Sequence, residues 1–337
     1  MKLHVTVSVV LILLTAAPAG AIVGGNMAPP EQYPYFVRLE VHKYSDPSKF
    51  ATCGGSVIDR EWILTAAHCL DGGVQHITVD VWVHDSYRYD ATALIMHPLW
   101  DGKVEHGHDL ALLRIPGYAT DAGGGIAEAM KVQVGAPADP GAYAVGVTAT
   151  VVGHGATHEG GGVTPELRDL HTPLHSDDYM DDIYNPWYWV DNWDAALMIG
   201  AGWTNHTVCS GDSGGPLTVD RNGVIVQVGV VSFSPSDFGG TETCDQPGGY
   251  AELSGPQLAW VAATIPSVAT RWGTCWISRG RIGLDTPGRW VATYVDTGSD
   301  ASGADKDETY RWSISCVPLQ PTRKGSLGSY TPEPVFQ

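Results

Sequence analysis

The sequence is poor in positive charge, holds few cysteines, and lacks a long apolar run. Lys and Arg number 19 against 37 Asp and Glu, a formal charge of −18 over 337 residues. Residues 22–267 carry 30 of those acids and 10 of the bases, so the acidity belongs to that part. A surface of this sign disfavours nucleic acid and anionic membrane as partners, although it does not decide the fold. The N-terminal apolar run, Val5 to Leu14, is too short to span a bilayer. No two of the six cysteines share the close spacing that zinc sites use. The acid-rich stretch from Asp296 to Glu308 lacks the spacing of an EF-hand and reads as a solvated hairpin connection. Neither a metal nor a cofactor is expected.

What is present begins with a leader. Lys2, the apolar run and the small residues Ala19-Gly20-Ala21 have the order of a secretory signal, so residues 1–21 read as one. The expected location is extracellular, or periplasmic in a Gram-negative source. Cleavage after Ala21 would leave Ile22 as the new amino terminus, with no separate propeptide.

A second absence decides the chemistry. Gly211-Asp212-Ser213-Gly214-Gly215-Pro216 boxes a serine between glycines, which lets the backbone take a tight turn and a substrate approach closely. Alone, the segment also fits the Gly-x-Ser-x-Gly elbow of α/β-hydrolases, in which the base histidine follows the serine. All 13 histidines here precede Ser213, the last being His206, so that order is excluded. Upstream stand Thr65-Ala66-Ala67-His68-Cys69 and Asp109-Leu110-Ala111-Leu112-Leu113, in the order His, Asp, Ser.

Together with Ile22-Val23-Gly24-Gly25, Cys53-Gly54-Gly55-Ser56 and His97-Pro98, these segments resemble the chymotrypsin/trypsin-like serine proteases over roughly residues 22–267. The resemblance implies an all-β fold of two six-stranded antiparallel β-barrels with the active site between them, and a C-terminal helix. It implies a serine endopeptidase working through an acyl-enzyme: Ser213 as nucleophile, His68 as base, Asp109 orienting it, and the N–H groups of Gly211 and Ser213 as oxyanion hole. The Ile22 ammonium would pair with Asp212. Cys53 would bridge to Cys69 and Cys209 to Cys244, which leaves Cys275 and Cys316 to each other. Another bridge common in the family is absent, since Gly200 stands where a Cys would precede Ala201-Gly202.

The specificity positions carried over are Thr207, Ser232, Ser234 and Gly248. Trypsin-like members have an Asp where Thr207 stands, so an uncharged residue before the scissile bond is expected, because burying an unpaired cation is costly. Ser232 to Ser234 would pair with the substrate backbone as an added strand. The implied partners are protein or peptide substrates and protein protease inhibitors, acting on a monomer. The alternative is an inactive homologue serving as a binding protein.

Short apolar or alternating runs separated by Gly, Pro and Asp recur along the chain: Tyr35 to Val41, Trp62 to Ala66, Ile77 to Val83, Ala91 to Met96, Val147 to Val152 and Val224 to Phe233. Pro256 to Ile265 has helical spacing. Six aspartates between Asp177 and Asp194 accompany Trp187, Tyr188, Trp189 and Trp193, read as a solvated helix start with aromatics packed on the barrel. After residue 267 the character changes. Trp272 to Ile277, Trp290 to Val295 and Tyr310 to Val317 read as strands of a small β-rich module, 268–317, stapled by Cys275 and Cys316, with a flexible tail at 318–337.

Overall fold

The computed structural model describes residues 22–81, 87–116, 131–185, 191–238 and 244–269, together with the backbone of strands at 274–280, 289–296 and 308–317. The signal segment, Trp187 to Trp189, most of the acid-rich loop after Asp296 and the 318–337 tail lie outside the described residues.

A short strand β1 (Asn26–Met27) opens the chain and belongs to the second sheet. The first sheet has seven strands: β2 (Phe36–Lys43), β3 (Asp46–Asp59), β4 (Trp62–Thr65), β5 (Val74–Val81), β6 (Tyr87–Asp90), β7 (Ala93–Met96) and β8 (Ala111–Arg114). They pair antiparallel in the order β6-β5-β2-β3-β4-β8-β7. The second sheet adds β9 (Gln133–Val134), β10 (Thr148–Gly153), β11 (Arg168–Pro173), β12 (Met198–Ala201), β13 (Pro216–Arg221), β14 (Val224–Phe233) and β15 (Gly248–Glu252) to β1. Its path runs β1-β11-β10-β13-β14-β15-β12, antiparallel except for β9, which pairs parallel with β14. These two curled sheets are the expected pair of barrels, with seven and eight strands among the described residues where six each were expected. Helices are few: α1 (Asp177–Tyr184), and at the end α2 (Gly255–Thr264) followed by α3 (Pro266–Ala269).

Each barrel has its own filling. Val37, Leu39, Val41, Ile63, Leu64 and Leu112 are fully buried in the first, and Val151, Leu217, Val228 and Tyr250 in the second. Each such side chain contributes roughly 1.5–3 kcal/mol by leaving water. Leu258 and Val261 of α2, with Val268 of α3, join the first cluster, so the closing helices seal it. Among the described residues no helix is long and apolar enough to cross a membrane.

Helix α1 begins as its sequence suggests. Ser176 caps it by accepting from the Tyr179 N–H at 3.2 Å, and Asp177 and Asp178 occupy the first turn, where the helix dipole favours negative charge. Its Met180 packs where a side chain on Gly200 would stand, which fills the place of the missing bridge. Tyr184 and Trp193 are buried with Phe233 in an aromatic cluster beneath β14.

Past residue 269, β16 (Thr274–Gly280), β17 (Arg289–Asp296) and β18 (Glu308–Val317) form a separate three-stranded antiparallel sheet in the order β16-β18-β17. Its register sets Cys275 opposite Cys316, the alignment the expected staple needs.

Candidate active site

Strand register brings the site together. Thr65 at the end of β4 lies opposite Ala111 at the start of β8. His68, three residues beyond Thr65, and Asp109, two before Ala111, therefore emerge at the same edge of the first sheet. His68 Nδ1 lies 2.7 Å from Asp109 Oδ2, and the His68 backbone N–H donates to Asp109 Oδ1 at 2.8 Å. Asp109 is fully buried, and a third donor, the Ser232 hydroxyl, reaches its Oδ2. With Nδ1–H committed to the carboxylate, His68 Nε2 carries the free lone pair of a base. Burial opposes the charged imidazole, but the Asp109 charge and hydrogen bond, aided by Asp237 and Asp71, outweigh it and raise the His68 pKa.

The second sheet supplies the serine. Gly214 N–H donates to Val231 O at 2.8 Å and Val231 N–H to Gly215 O at 2.9 Å, so the segment before β13 runs against β14. The Ser213 carbonyl accepts from Gly54 N–H of β3 at 2.7 Å. That bond requires glycine at 54, since a Cβ there would lie 2.8 Å from the Gly215 Cα. Ser213 and His68 line one cleft, and among the described residues no hydrogen bond joins the Ser213 hydroxyl to the imidazole. Such contacts are often long before substrate arrives.

Gly211 holds φ at 99°, a left-handed conformation open to glycine. In this turn Asp212 N–H donates to Cys209 O and Gly215 N–H to Asp212 O, while the N–H groups of Gly211 and Ser213 have no acceptor among the described residues. Two free donors beside a serine are what a developing oxyanion needs.

Asp212 points the other way. It is fully buried, and its carboxylate accepts from Gly155 N–H at 2.7 Å and Cys209 N–H at 2.9 Å. Burial pushes its pKa up to about 7 in spite of these donors. Ile22 is also fully buried, inside the second barrel's core, and Val23 exchanges backbone hydrogen bonds with Thr207 at 3.0 and 3.2 Å. No hydrogen bond joins Ile22 to Asp212; here Ile22 is preceded by Ala21 and carries an amide rather than an ammonium.

The cleft holds about 230 Å³. Its wall is Val208, Cys209, Ser210, Val231, Ser232, Phe233, Ser234 and Cys244, with Asp237 at the rim. Of the four predicted pocket positions, Ser232 and Ser234 line it, and Thr207 and Gly248 do not. Thr207 is buried, and where a Gly248 Cβ would be, a Val208 methyl stands at 2.7 Å and the Thr207 hydroxyl at 3.5 Å, so Val208 is the part of this floor that lines the cleft. Sequence reasoning passed over Val208, although it directly follows Thr207. It also gave Ser232 to the pocket, whereas its hydroxyl is turned to Asp109.

Disulfides join Cys53 to Cys69 and Cys209 to Cys244. The first ties β3 to the turn carrying His68; the second lies in the cleft wall. Each is worth about 2–4 kcal/mol. The side chains of Cys275 and Cys316 lie outside the described residues. Among the described residues the one grouping with metal-ligand types is Cys53, His68 and Cys69, and its two sulfurs are bonded to each other. His154, between Gly153 and Gly155, is buried against Phe36, and burial drops its pKa to about 4, in keeping with a packing role.

Comparison with known proteins agrees with this architecture. The Trypsin family model matches residues 22–261. Human serine protease 56 is 30% identical over 237 residues, 68% of this chain and 36% of that protein, so the chain spans little more than a third of that relative. Chymotrypsin-like elastase family member 1 of Macaca fascicularis is 29% identical over 255 residues, 73% of this chain and 90% of the elastase. Trypsin eta of Drosophila erecta is 28% identical over 268 residues, 75% of this chain and 93% of that protein. With the family match covering both barrels and the cleft between them, the chain belongs to the trypsin family of serine endopeptidases.

Proposed function

We propose that this chain is a secreted endopeptidase that cleaves peptide bonds with Ser213 as nucleophile, His68 as general base and Asp109 as the group that orients it. The observation that carries this reading is the set of three donors on buried Asp109. It supports a His68 tautomer that keeps Nε2 as the basic nitrogen, in a residue that lines the same cleft as Ser213.

In that reading His68 Nε2 takes the Ser213 proton as the hydroxyl adds to the scissile carbonyl. The N–H groups of Gly211 and Ser213 hold the oxyanion, at on the order of 10²–10³ in kcat per donor. The imidazolium then protonates the leaving amine, leaving an acyl-Ser213 ester, and a water activated by the same His68 hydrolyses it. The Cys209–Cys244 wall and the Val208 floor favour a small or medium uncharged side chain before the scissile bond.

Maturation fits the same frame. Removal of 1–21 would free the Ile22 ammonium, and the buried carboxylate of Asp212, which has no cationic partner among the described residues, is the group proposed to receive it. The signal peptidase would then be the activating enzyme. The working division is a protease body at 22–267, a small β module at 268–317 and a tail at 318–337. An inactive homologue finds no support in a site that retains His68, Asp109, Ser213 and Gly211.

The test is labelling of the secreted protein by a fluorophosphonate, with N-terminal sequencing of the labelled species. A label on Ser213 that disappears in Ser213→Ala, on a chain starting at Ile22, is the expected result. An unlabelled parent, or hydrolysis by Ser213→Ala at the parent's rate, overturns it.

A further inference from the structure

One acid at the mouth of the cleft has no part in the triad. Asp237 lies in the turn Pro235–Phe238 after β14 and lines the cleft with His68, Ser213 and Ser234. Its Oδ2 accepts from the Ser234 N–H at 2.7 Å and the Ser234 hydroxyl at 3.3 Å, and its own N–H returns to Ser234 O at 3.0 Å. Oδ1 has no donor, and no Lys or Arg pairs with the carboxylate, among the described residues. The rest of the lining is uncharged apart from His68. Among the described residues Asp237 is therefore the single anionic group facing a bound peptide in this cleft, held at one oxygen and open at the other.

We propose that Asp237 is a specificity-determining residue whose carboxylate receives a Lys or Arg side chain of the peptide substrate, carried by the residues lying along Ser232 to Ser234. This rests on the endopeptidase reading of the same cleft. The cation does not enter the 230 Å³ pocket, which Val208 lines and whose described walls offer no counter-charge. It sits at the rim, beside an exposed carboxylate, while an uncharged side chain fills the pocket. Exposed pairs of this kind change an equilibrium about two- to fivefold and weaken with salt. The acidic protease body acts in the same direction, since its field concentrates cationic peptides near the cleft.

The Asp237 charge is also felt at His68, whose protonated form it favours together with Asp109 and Asp71. Replacing Asp237 by Asn removes the charge and leaves an oxygen for the Ser234 N–H. A structural role survives that change, whereas an electrostatic one does not.

The experiment uses the secreted full chain and peptide series with Lys, Arg or norleucine at successive positions before the scissile bond, at low and high salt. The expected result is a two- to fivefold higher kcat/KM for the cationic peptide at one position. The gain should reside in KM, vanish at high salt and be lost in Asp237→Asn. The same variant should move the acid limb of kcat/KM to lower pH. Equal rates for Lys and norleucine at every position in the parent overturn the proposal, as does an advantage that persists in Asp237→Asn. The salt dependence of the parent alone decides the matter if the variant does not fold. Hydrolysis without cation preference defeats this inference only; no hydrolysis and no fluorophosphonate labelling defeats the endopeptidase reading with it.

Discussion

The backbone N–H of Gly54 donates to the carbonyl of Ser213 at 2.7 Å, tying strand β3 of one barrel to the serine turn of the other. The bond locates Ser213 relative to His68, because β3 also carries Cys53, whose disulfide reaches the residue after His68.

Gly54→Ala should strain this junction. The added methyl lies 2.8 Å from the Gly215 Cα, a backbone atom that cannot yield cheaply. A loss of about 1–3 kcal/mol in unfolding free energy is expected from such overpacking, together with a fall in kcat larger than any rise in KM. Denaturant melts and steady-state kinetics on the same preparation check it.

The acid limb of kcat/KM should lie above 6.5, the ordinary value for His. Burial of His68 disfavours its cation, but Asp109 above all reverses that and raises the pKa. Activity needs the neutral imidazole and so appears as pH rises through the raised value. The stability contributed by the pairing runs oppositely: it is complete below 6.5 and is lost as pH rises through the folded value. Titration of the His68 ring by NMR, beside a pH–rate profile, tests both directions.

Two forms of the chain should lose stability in different pH windows. While Ile22 is still joined to Ala21, buried Asp212 has a folded pKa of about 7 against 3.8 unfolded. Its burial then costs stability that is absent below 3.8 and grows until the pH passes 7. With Ile22 free, the ammonium offsets that cost up to the pKa of a free α-amine, near 8, and the benefit fades as the pH passes the raised folded value. Melting temperature against pH for the signal-bearing and Ile22-starting chains should diverge most between these limits. Coincident curves would refute the pairing.

Val208→Ala should open the floor of the cleft. Val208 fills the space beside Gly248, and losing two methyl groups lengthens the pocket. One or two methylenes in such a pocket discriminate about 10–200-fold. The variant should therefore shift its preference before the scissile bond toward larger apolar side chains by at least tenfold, read by competitive cleavage of a peptide library.

Local chemistry was enough to nominate the candidate reactive groups. A serine between glycines, a histidine and an aspartate that each flank an apolar strand, and small residues before Ile22 each bear a signature that lies within a few residues of chain. The strands were legible for the same reason: predicted Val224 to Phe233 is strand β14, and predicted Trp62 to Ala66 differs from β4 by one residue. The order His, Asp, Ser and the lack of any later histidine further excluded the alternative fold without coordinates.

Contacts between distant segments were decided only by the tertiary structure. Whether Ser232 turns to a substrate or to Asp109, 123 residues earlier, depends on how β14 crosses the end of the first sheet. Thr207 stays near Gly248, its hydroxyl 3.5 Å from where a Gly248 Cβ would be, yet it is Val208, the next residue, that lines the cleft. Asp237 drew no notice in the sequence because an aspartate in a turn is ordinary, and only its position across from His68 gives its charge a use. Residue type and short spacing determined which groups could react; side-chain direction, burial and the meeting of two barrels determined which of them share a cleft, because packing sets those quantities and no local pattern records them.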